Sequence, residues 1–179
     1  MRKFYTLLSA SVLRISLSFY SGKVLAQCTT TITAFPFNES FENGFGTLWT
    51  GDIVASGAAN IPGWQTENNG VGNSANTGPT NAQDGTVYAY TEATNGTTGQ
   101  IWNLNSPCFT IPLNSAPYIS FYHHMLTNVV NDVVAMGYLY LDVNTNPSGV
   151  ANWTTIWQDS GSNGDVWIQN FVDLDAYAG

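Results

Sequence analysis

The sequence predicts an all-β protein, a two-sheet antiparallel sandwich of the jelly-roll type. Segments in which apolar and polar residues alternate recur along the chain, which is the period of half-buried strands. Glycine, asparagine and proline separate these segments at short intervals, as turns between strands require. The 6 Trp, 9 Tyr and 9 Phe are residue types that strands favour. No stretch shows a helical period.

The strand pattern becomes regular after Gly85. We predict strands over 86–91, 100–106, 108–111, 118–127, 133–143, 153–158 and 166–174, with shorter ones over 36–42 and 63–66. The period of two assigns to the core Ile119, Phe121, His123, Met125, Leu139, Leu141, Val143, Val166, Ile168, Val172 and Leu174. Tyr138 and Tyr140 are expected on the opposite face of their strand.

The N-terminus has the pattern of an export signal. Arg2 and Lys3 form a positive start, an apolar stretch interrupted by Arg14 follows, and Ala26 provides a small residue for cleavage. The alternative is an ordinary N-terminal helix, but the stretch is too short to span a bilayer. We therefore predict a signal peptide over 1–26, a polar lead-in over 27–35 and a sandwich domain over 36–179, in a protein that is secreted or held at the cell surface.

Cleavage after Ala26 would remove every basic residue. All four Lys and Arg lie in residues 1–26, while all twelve Asp and Glu lie beyond, so residues 27–179 carry a formal charge of −12. This balance excludes nucleic acid as a partner, because binding to phosphates depends on Lys and Arg. It also excludes an anionic membrane surface. The carboxylates must be solvated, bound by N–H groups, paired with a histidine or bound to cations.

The chain has two cysteines, Cys28 and Cys108. In an oxidising compartment they would form a disulfide that persists. The alternative is that Cys28 lies in a frayed tail and Cys108 is a small buried residue. The sequence leaves both readings open.

A series of short motifs in order resembles the MAM (meprin-type) family of adhesion domains. The motifs are Phe41-Glu42-Asn43-Gly44, Trp64-Gln65, Thr77-Gly78-Pro79, Asp84-Gly85 with the aromatic strand 86–90, Leu104-Asn105-Ser106-Pro107, Phe121-Tyr122-His123-His124-Met125, Gly137-Tyr138-Leu139, and Trp157 with Gly161, Gly164 and Trp167. The resemblance covers roughly residues 36–179. It implies a jelly roll of the concanavalin and laminin-G kind, an extracellular setting, and contacts with proteins or glycans, including contacts between copies of the same chain.

The chain departs from the family pattern in two ways. The family carries more cysteines, and its domains continue into further strands that end in an Asp pair. By this comparison the sandwich is truncated before its last strands. Related domains can bind a structural cation near the first strand, and Glu42 and Asp84 occupy matching positions. The resemblance therefore implies a Ca²⁺ site at these two carboxylates; the alternative is that both are exposed turn acids.

Two further pairs of residues have side chains that could bind a metal or catalyse hydrolysis. Adjacent strand residues point to opposite faces, so His123 and His124 are expected to be a core histidine and an exposed neighbour rather than metal ligands. Asp173 and Asp175 would share a strand face, an arrangement that could serve glycoside hydrolysis but is expected here of solvated acids.

The outward aromatic residues predicted as a contact platform are Tyr138, Tyr140, Trp153 and Trp157. The alternative is that a second sheet covers them as part of the core. The favoured function is adhesion or recognition without catalysis. The alternatives are a carbohydrate-binding module of a secreted hydrolase and a β-sandwich enzyme that uses an acid such as Asp84.

Overall fold

Short strands are the main regular elements of the described chain. The computed structural model describes residues 2–7, 12–18, 30–56, 61–68, 77–92, 97, 99–127, 136–145 and 152–179, the first two ranges as backbone strands. The strands are β1 (Arg2–Leu7), β2 (Val12–Ser18), β3 (Thr31–Ile32), β4 (Thr50–Gly51), β5 (Trp64–Asn68), β6 (Val87–Glu92), β7 (Ile101–Asn105), β8 (Cys108–Phe109), β9 (Tyr118–Met125), β10 (Tyr138–Asn144), β11 (Thr154–Ser160) and β12 (Ile168–Asp173).

Two five-stranded sheets pack face to face. Sheet A has the order β12-β9-β1-β6-β5, and sheet B has the order β11-β10-β2-β7-β4. Phe121 of sheet A meets Trp157 of sheet B edge to face, with ring centroids 4.9 Å apart. The predicted all-β, two-sheet sandwich is confirmed. Within the described ranges, no helix has both the length and the apolar character needed to cross a bilayer.

The core is formed by the inward residues of both sheets, as the period of two predicts. Sheet A buries Ile119, Phe121, His123 and Met125, and sheet B buries Leu139, Leu141 and Val143. Each large apolar side chain contributes about 1.5–3 kcal/mol of transfer free energy when buried. The prediction fails for Val166, which lies before β12 and is exposed.

The predicted strand over 36–42 is wrong. Glu39 Oε1 accepts a hydrogen bond from the backbone N–H of Phe41 at 2.8 Å. Phe41 has φ = 61°, which a strand cannot accommodate. Gly44 N–H then donates to the Phe41 carbonyl oxygen at 2.9 Å and closes a turn. The segment folds locally and places Phe41 against Trp49 instead of pairing with a sheet.

The first two strands occupy the centre of the sandwich. β1 lies between β9 and β6, and β2 lies between β10 and β7. Both therefore differ from the N-terminal helix that was the alternative to a signal peptide. All four ladders made by β1 and β2 are parallel, whereas the ladders β5–β6, β9–β12, β10–β11 and β4–β7 are antiparallel as predicted.

Candidate functional site

An apolar groove opens at one end of the sandwich. Its volume is about 430 Å³. The lining residues come from three segments: Phe35, Pro36, Phe37, Asn38, Phe109, Ile111, Pro112, Ser115, Ala116, Pro117, Tyr118, Ile119, Ser120 and Leu174. Few of them offer side-chain hydrogen bonds. The groove therefore suits apolar side chains better than a polar ligand.

Exposed apolar side chains flank this groove. Tyr118 is 66% exposed and Phe171 is 65% exposed, and their ring centroids are 6.1 Å apart. Register explains the proximity: Asp173 pairs with Tyr118 and Phe171 pairs with Ser120, so the two rings are diagonal neighbours on the outer face of sheet A. Leu113, at 69% exposure, adds to the surface. We call Tyr118, Phe171, Leu113 and the groove the apolar patch.

The apolar patch was not predicted from the sequence, although the outward direction of two of its side chains could have been. If Ile119 and Val172 face the core, the alternation along each strand turns Tyr118 and Phe171 outward. That the two strands are neighbours, and in which register, is decided only by the fold.

The structure divides the four aromatic residues of the predicted platform. Tyr138 and Tyr140 lie on the outer face of β10 with their rings stacked, the centroids 5.8 Å apart at 20°. Trp157 lies on the inner face instead, against His123 with a centroid distance of 5.0 Å. Trp153 is partly buried and precedes Thr154, at the opposite end of the β10–β11 ladder from Tyr138. Only the two tyrosines form one surface.

Glu42 joins the 41–44 turn to the start of β6. Its Oε1 accepts from the backbone N–H groups of Thr86 and Val87, each at 2.9 Å, and its Oε2 accepts from Thr86 Oγ1 at 2.9 Å. Gly85 makes room for the carboxylate, because a Cβ there would clash with Glu42 Oε1. Glu42 and the neighbouring Asp84 were predicted to hold Ca²⁺. In the part of the chain that the structure describes, no three His, Cys, Asp or Glu cluster as a metal site; the calcium role stays a prediction.

His123 joins the two sheets through a polar network in the core. Asn170 Nδ2 donates to the Ile168 carbonyl oxygen at 3.2 Å, which fixes the orientation of its amide. The same Nδ2 lies 2.7 Å from His123 Nδ1, which therefore accepts. The ring proton is on Nε2 and is donated to Asp159 Oδ2 at 2.6 Å. Asn163 Nδ2 donates to the same oxygen at 2.8 Å. With both nitrogens engaged and the ring buried, His123 is a structural residue, as predicted.

These contacts change the pKa of the Asp159 carboxyl. Burial alone would raise its pKa, but the hydrogen bonds from His123 and Asn163 outweigh burial and hold the pKa below its ordinary value of 3.8. The carboxylate thus stays charged, as an inter-sheet acceptor, at neutral pH.

His124 was predicted to be the exposed neighbour, and this is wrong. It is buried on the outer face of sheet A, where Nε2 lies 2.9 Å from Asp165 Oδ1 and the ring meets Trp167 at 5.1 Å. Thr80 Oγ1 donates to the other Asp165 oxygen at 2.9 Å, and Trp167 Nε1 donates to the Asn81 carbonyl oxygen at 3.0 Å. The segments around residues 80 and 165 therefore cover the histidine.

Burial lowers the pKa of His124, with partial compensation from the hydrogen bond to Asp165. In turn that hydrogen bond holds the pKa of Asp165 below 3.8. The same outer face buries Tyr88 and Tyr90. Burial, together with Glu67, Tyr90 and Glu92, raises the pKa of the Tyr88 hydroxyl.

Cys108 is disulfide-bonded. Cys28, the other cysteine of the chain, lies outside the described residues, so its predicted pairing with Cys108 stays a prediction. The backbone around Cys108 is held by β3, because Cys108 N–H donates to the Thr30 carbonyl oxygen at 3.1 Å and β3 pairs with β8.

Asp173 and Asp175 do not share a strand face. β12 ends at Asp173, whose Oδ1 accepts from the N–H of Asp175 at 2.7 Å, and Asp175 begins a 3-10 helix. Both acids are exposed. The hydrogen bond from a backbone N–H two residues on is that of an Asx turn, which here precedes the 3-10 helix.

No protein-family model, curated protein or solved structure matches this chain. The buried polar groups join structural elements, whereas the side chains of the apolar patch and of Tyr138 are exposed. These two surfaces are suited to binding.

Proposed function

We propose that this chain is an exported adhesion or recognition module of the MAM type, which makes contacts with other proteins through the apolar patch. The observation that carries the proposal is the exposure of Tyr118, Phe171 and Leu113 beside an apolar groove. Exposed aromatic residues next to a pocket are typical anchors of protein interfaces. The all-β sandwich supports the proposal, because it is the architecture that the family resemblance implies.

The negative charge of this chain indicates the charge that a partner surface should carry. Residues 27–179 carry twelve acidic and no basic side chains, so a partner surface rich in Lys or Arg would be attracted to this one. The groove itself is apolar. We therefore expect a partner segment that combines an apolar or aromatic anchor with flanking basic residues.

Export is supported by the N-terminal pattern and by the disulfide at Cys108, since disulfides persist in oxidising compartments. Expression of the full chain in a bacterial host with a secretory pathway, followed by N-terminal sequencing of the exported product, tests it. Cleavage predicts a mature N-terminus at Gln27. Retention in the cytoplasm with residue 1 intact would refute export.

The contact surface can be tested with a phage-displayed random-peptide library panned on the full chain. We expect enriched peptides to carry aromatic or Leu anchors near Lys or Arg. Their binding should fall at least about tenfold on Phe171→Ser or Tyr118→Ser, since a buried aromatic anchor contributes about 2 kcal/mol or more. The matched control, Tyr138→Ser, changes an exposed aromatic residue elsewhere and should leave binding intact. Equal binding to all variants would refute the proposed surface.

A second candidate function is carbohydrate binding. It is favoured by the exposed ring of Tyr138, which is 38% exposed on the outer face of β10 and lies 5.8 Å from the ring of Tyr140. A glycan array probed with the full chain would separate the two functions. Sugar binding that is lost on Tyr138→Ser but kept on Phe171→Ser would establish the second, and an array without binding would remove it.

A further inference from the structure

The central strand of each sheet is paired differently from the other strands. β1 pairs in parallel with both neighbours, so that Phe4 is opposite Ala89 of β6 and His123 of β9. β2 does the same in sheet B, where Ile15 is opposite Leu104 of β7 and Leu141 of β10. We call the place between β6 and β9 the first central position and the place between β7 and β10 the second.

The directions of the neighbouring strands show which direction an inserted strand would have at each central position. Because β1 is parallel to both neighbours, β6 and β9 run the same way; β7 and β10 do so for the same reason. Their outer neighbours β5, β12, β4 and β11 all run the opposite way. If a strand of the opposite direction took the place of β1 or β2, every neighbouring pair of strands in that sheet would therefore be antiparallel. Antiparallel pairs are also slightly more stable per residue.

The flanking side chains define the chemistry of such a strand. Towards the core, the first position is bordered by Ala89 and Phe121 and the second by Leu104 and Leu141, all fully buried. An inserted strand must therefore present apolar side chains inward. Its backbone must also satisfy ladder groups of both neighbours, since unpaired N–H and C=O groups are costly when buried.

The outer faces add a charge requirement. Glu92 borders the first position opposite Leu7, and Asp142 borders the second opposite Ser16; they are 2% and 1% exposed. The sequence has no Lys or Arg after Lys23. Basic side chains near these carboxylates can therefore come only from residues 1–23 or from another molecule.

We propose that the two central positions are acceptor sites for a partner polypeptide that inserts one strand into each sheet, antiparallel to β6 and β9 and to β7 and β10. The inserted strands are apolar inward and carry Lys or Arg outward, and they replace residues 2–18. The proposal rests on the export half of the proposed function, because removal of residues 1–26 would leave both positions empty. Strand addition supplies main-chain hydrogen bonds for affinity and side-chain pockets for specificity.

Strand direction provides a matched pair of probes. One fluorescent peptide has the sequence of residues 2–18, and the other has the same residues in reverse order. The two share composition, charge and alternation and differ only in backbone direction. The target is the full chain with Tyr5→Pro and Ile15→Pro, since proline removes a ladder hydrogen bond from a central strand. Ser21→Pro, beyond the end of β2, is the control variant.

We expect the reversed peptide to bind the double-proline chain at least about tenfold more tightly than the forward peptide, by fluorescence anisotropy. Binding to the control should be weaker for both, because residues 2–18 compete within the same chain at an effective concentration of about millimolar. A forward peptide that binds as tightly as the reversed one would overturn the proposal.

If the double-proline chain does not fold, hydrogen exchange on the unmodified chain decides. Saturating reversed peptide should accelerate exchange in residues 2–18 while β6 and β9 stay protected, and unchanged exchange there would refute the inference. Phe171→Ser should not alter either result. A failure of the apolar patch is thereby distinguished from a failure of strand insertion, and the N-terminal sequencing tests export separately.

Discussion

Replacing Glu42 tests how an exposed carboxylate can hold a loop-rich sandwich together. The side chain accepts hydrogen bonds from Thr86 and Val87, which lie 44 and 45 residues further along the chain. Two of the three bonds come from backbone N–H groups and one comes from the Thr86 hydroxyl. Glu42→Ala removes all three bonds. Glu42→Gln keeps one carbonyl oxygen and places an NH2 group where Oε2 accepted the hydrogen bond from Thr86 Oγ1.

The expected loss follows from those bonds. A net hydrogen bond contributes about 0.5–1.5 kcal/mol, and bonds to charged groups contribute more. The donors are exposed, so water replaces part of each lost bond. We therefore expect Glu42→Ala to lower the free energy of unfolding by about 2 kcal/mol and Glu42→Gln by about 1 kcal/mol.

Urea unfolding followed by tryptophan fluorescence at pH 7 measures these values. Asp175→Ala is the matched control, because it removes an exposed carboxylate from a short 3-10 helix and should change stability by less than about 0.5 kcal/mol. A loss below 0.5 kcal/mol for Glu42→Ala would refute the reasoning. Repeating the titration with millimolar Ca²⁺ tests the predicted cation site: a rise in stability that Glu42→Ala abolishes would support it, and identical curves would contradict it.

Three further predictions follow from the same structure. Acid should destabilise the fold in two steps. The lowered pKa of His124 favours the unfolded state as the pH falls through 6.5, and the lowered pKa values of Asp159 and Asp165 do so below 3.8. Thermal melts from pH 8 to 3 measure both steps; His124→Gln should flatten the first one, and a slope that the substitution leaves unchanged would contradict the prediction. Cys108→Ser should lower stability by about 4 kcal/mol in the chain-entropy model, measured by urea unfolding, with a reductant having no further effect on the variant. Gly85→Ala should destabilise at least as much as Glu42→Gln, because Gly85 has φ = +65° and a Cβ would meet the Glu42 carboxylate; a thermal melt indistinguishable from that of the unmodified chain would exclude the clash.

Strand positions and faces were largely readable from the sequence. β6, β7, β9, β11 and β12 lie within two residues of the predicted bounds, because alternation and turn residues are local signals. Strand β10 begins later than predicted, at Tyr138, where Gly137 with φ = 70° precedes it. The same alternation assigned Tyr138 and Tyr140 to the outer face correctly.

One failure arises because burial outside the core depends on segments that are distant in sequence. His124 faces outward as alternation predicts, yet it is covered by Asp165 and Trp167, 41 and 43 positions further along. Trp157 was assigned to the wrong face of its strand. In the β10–β11 ladder, which contains Trp157, the register shifts between Leu141 and Asp142, and such an irregularity cannot be predicted from alternation.

The sequence by itself determined the all-β class and the inward-facing residues of β9 and β10. It also determined that residues 27–179 contain no Lys or Arg, so that every carboxylate there needs another kind of partner. That need was met by N–H groups for Glu42 and by histidines for Asp159 and Asp165. The tertiary structure alone decided which strands are neighbours, where the apolar patch forms, and which strands lie at the centre of each sheet. The physical reason is that side-chain alternation is a property of one strand, whereas pairing and covering depend on contacts between segments far apart in the chain.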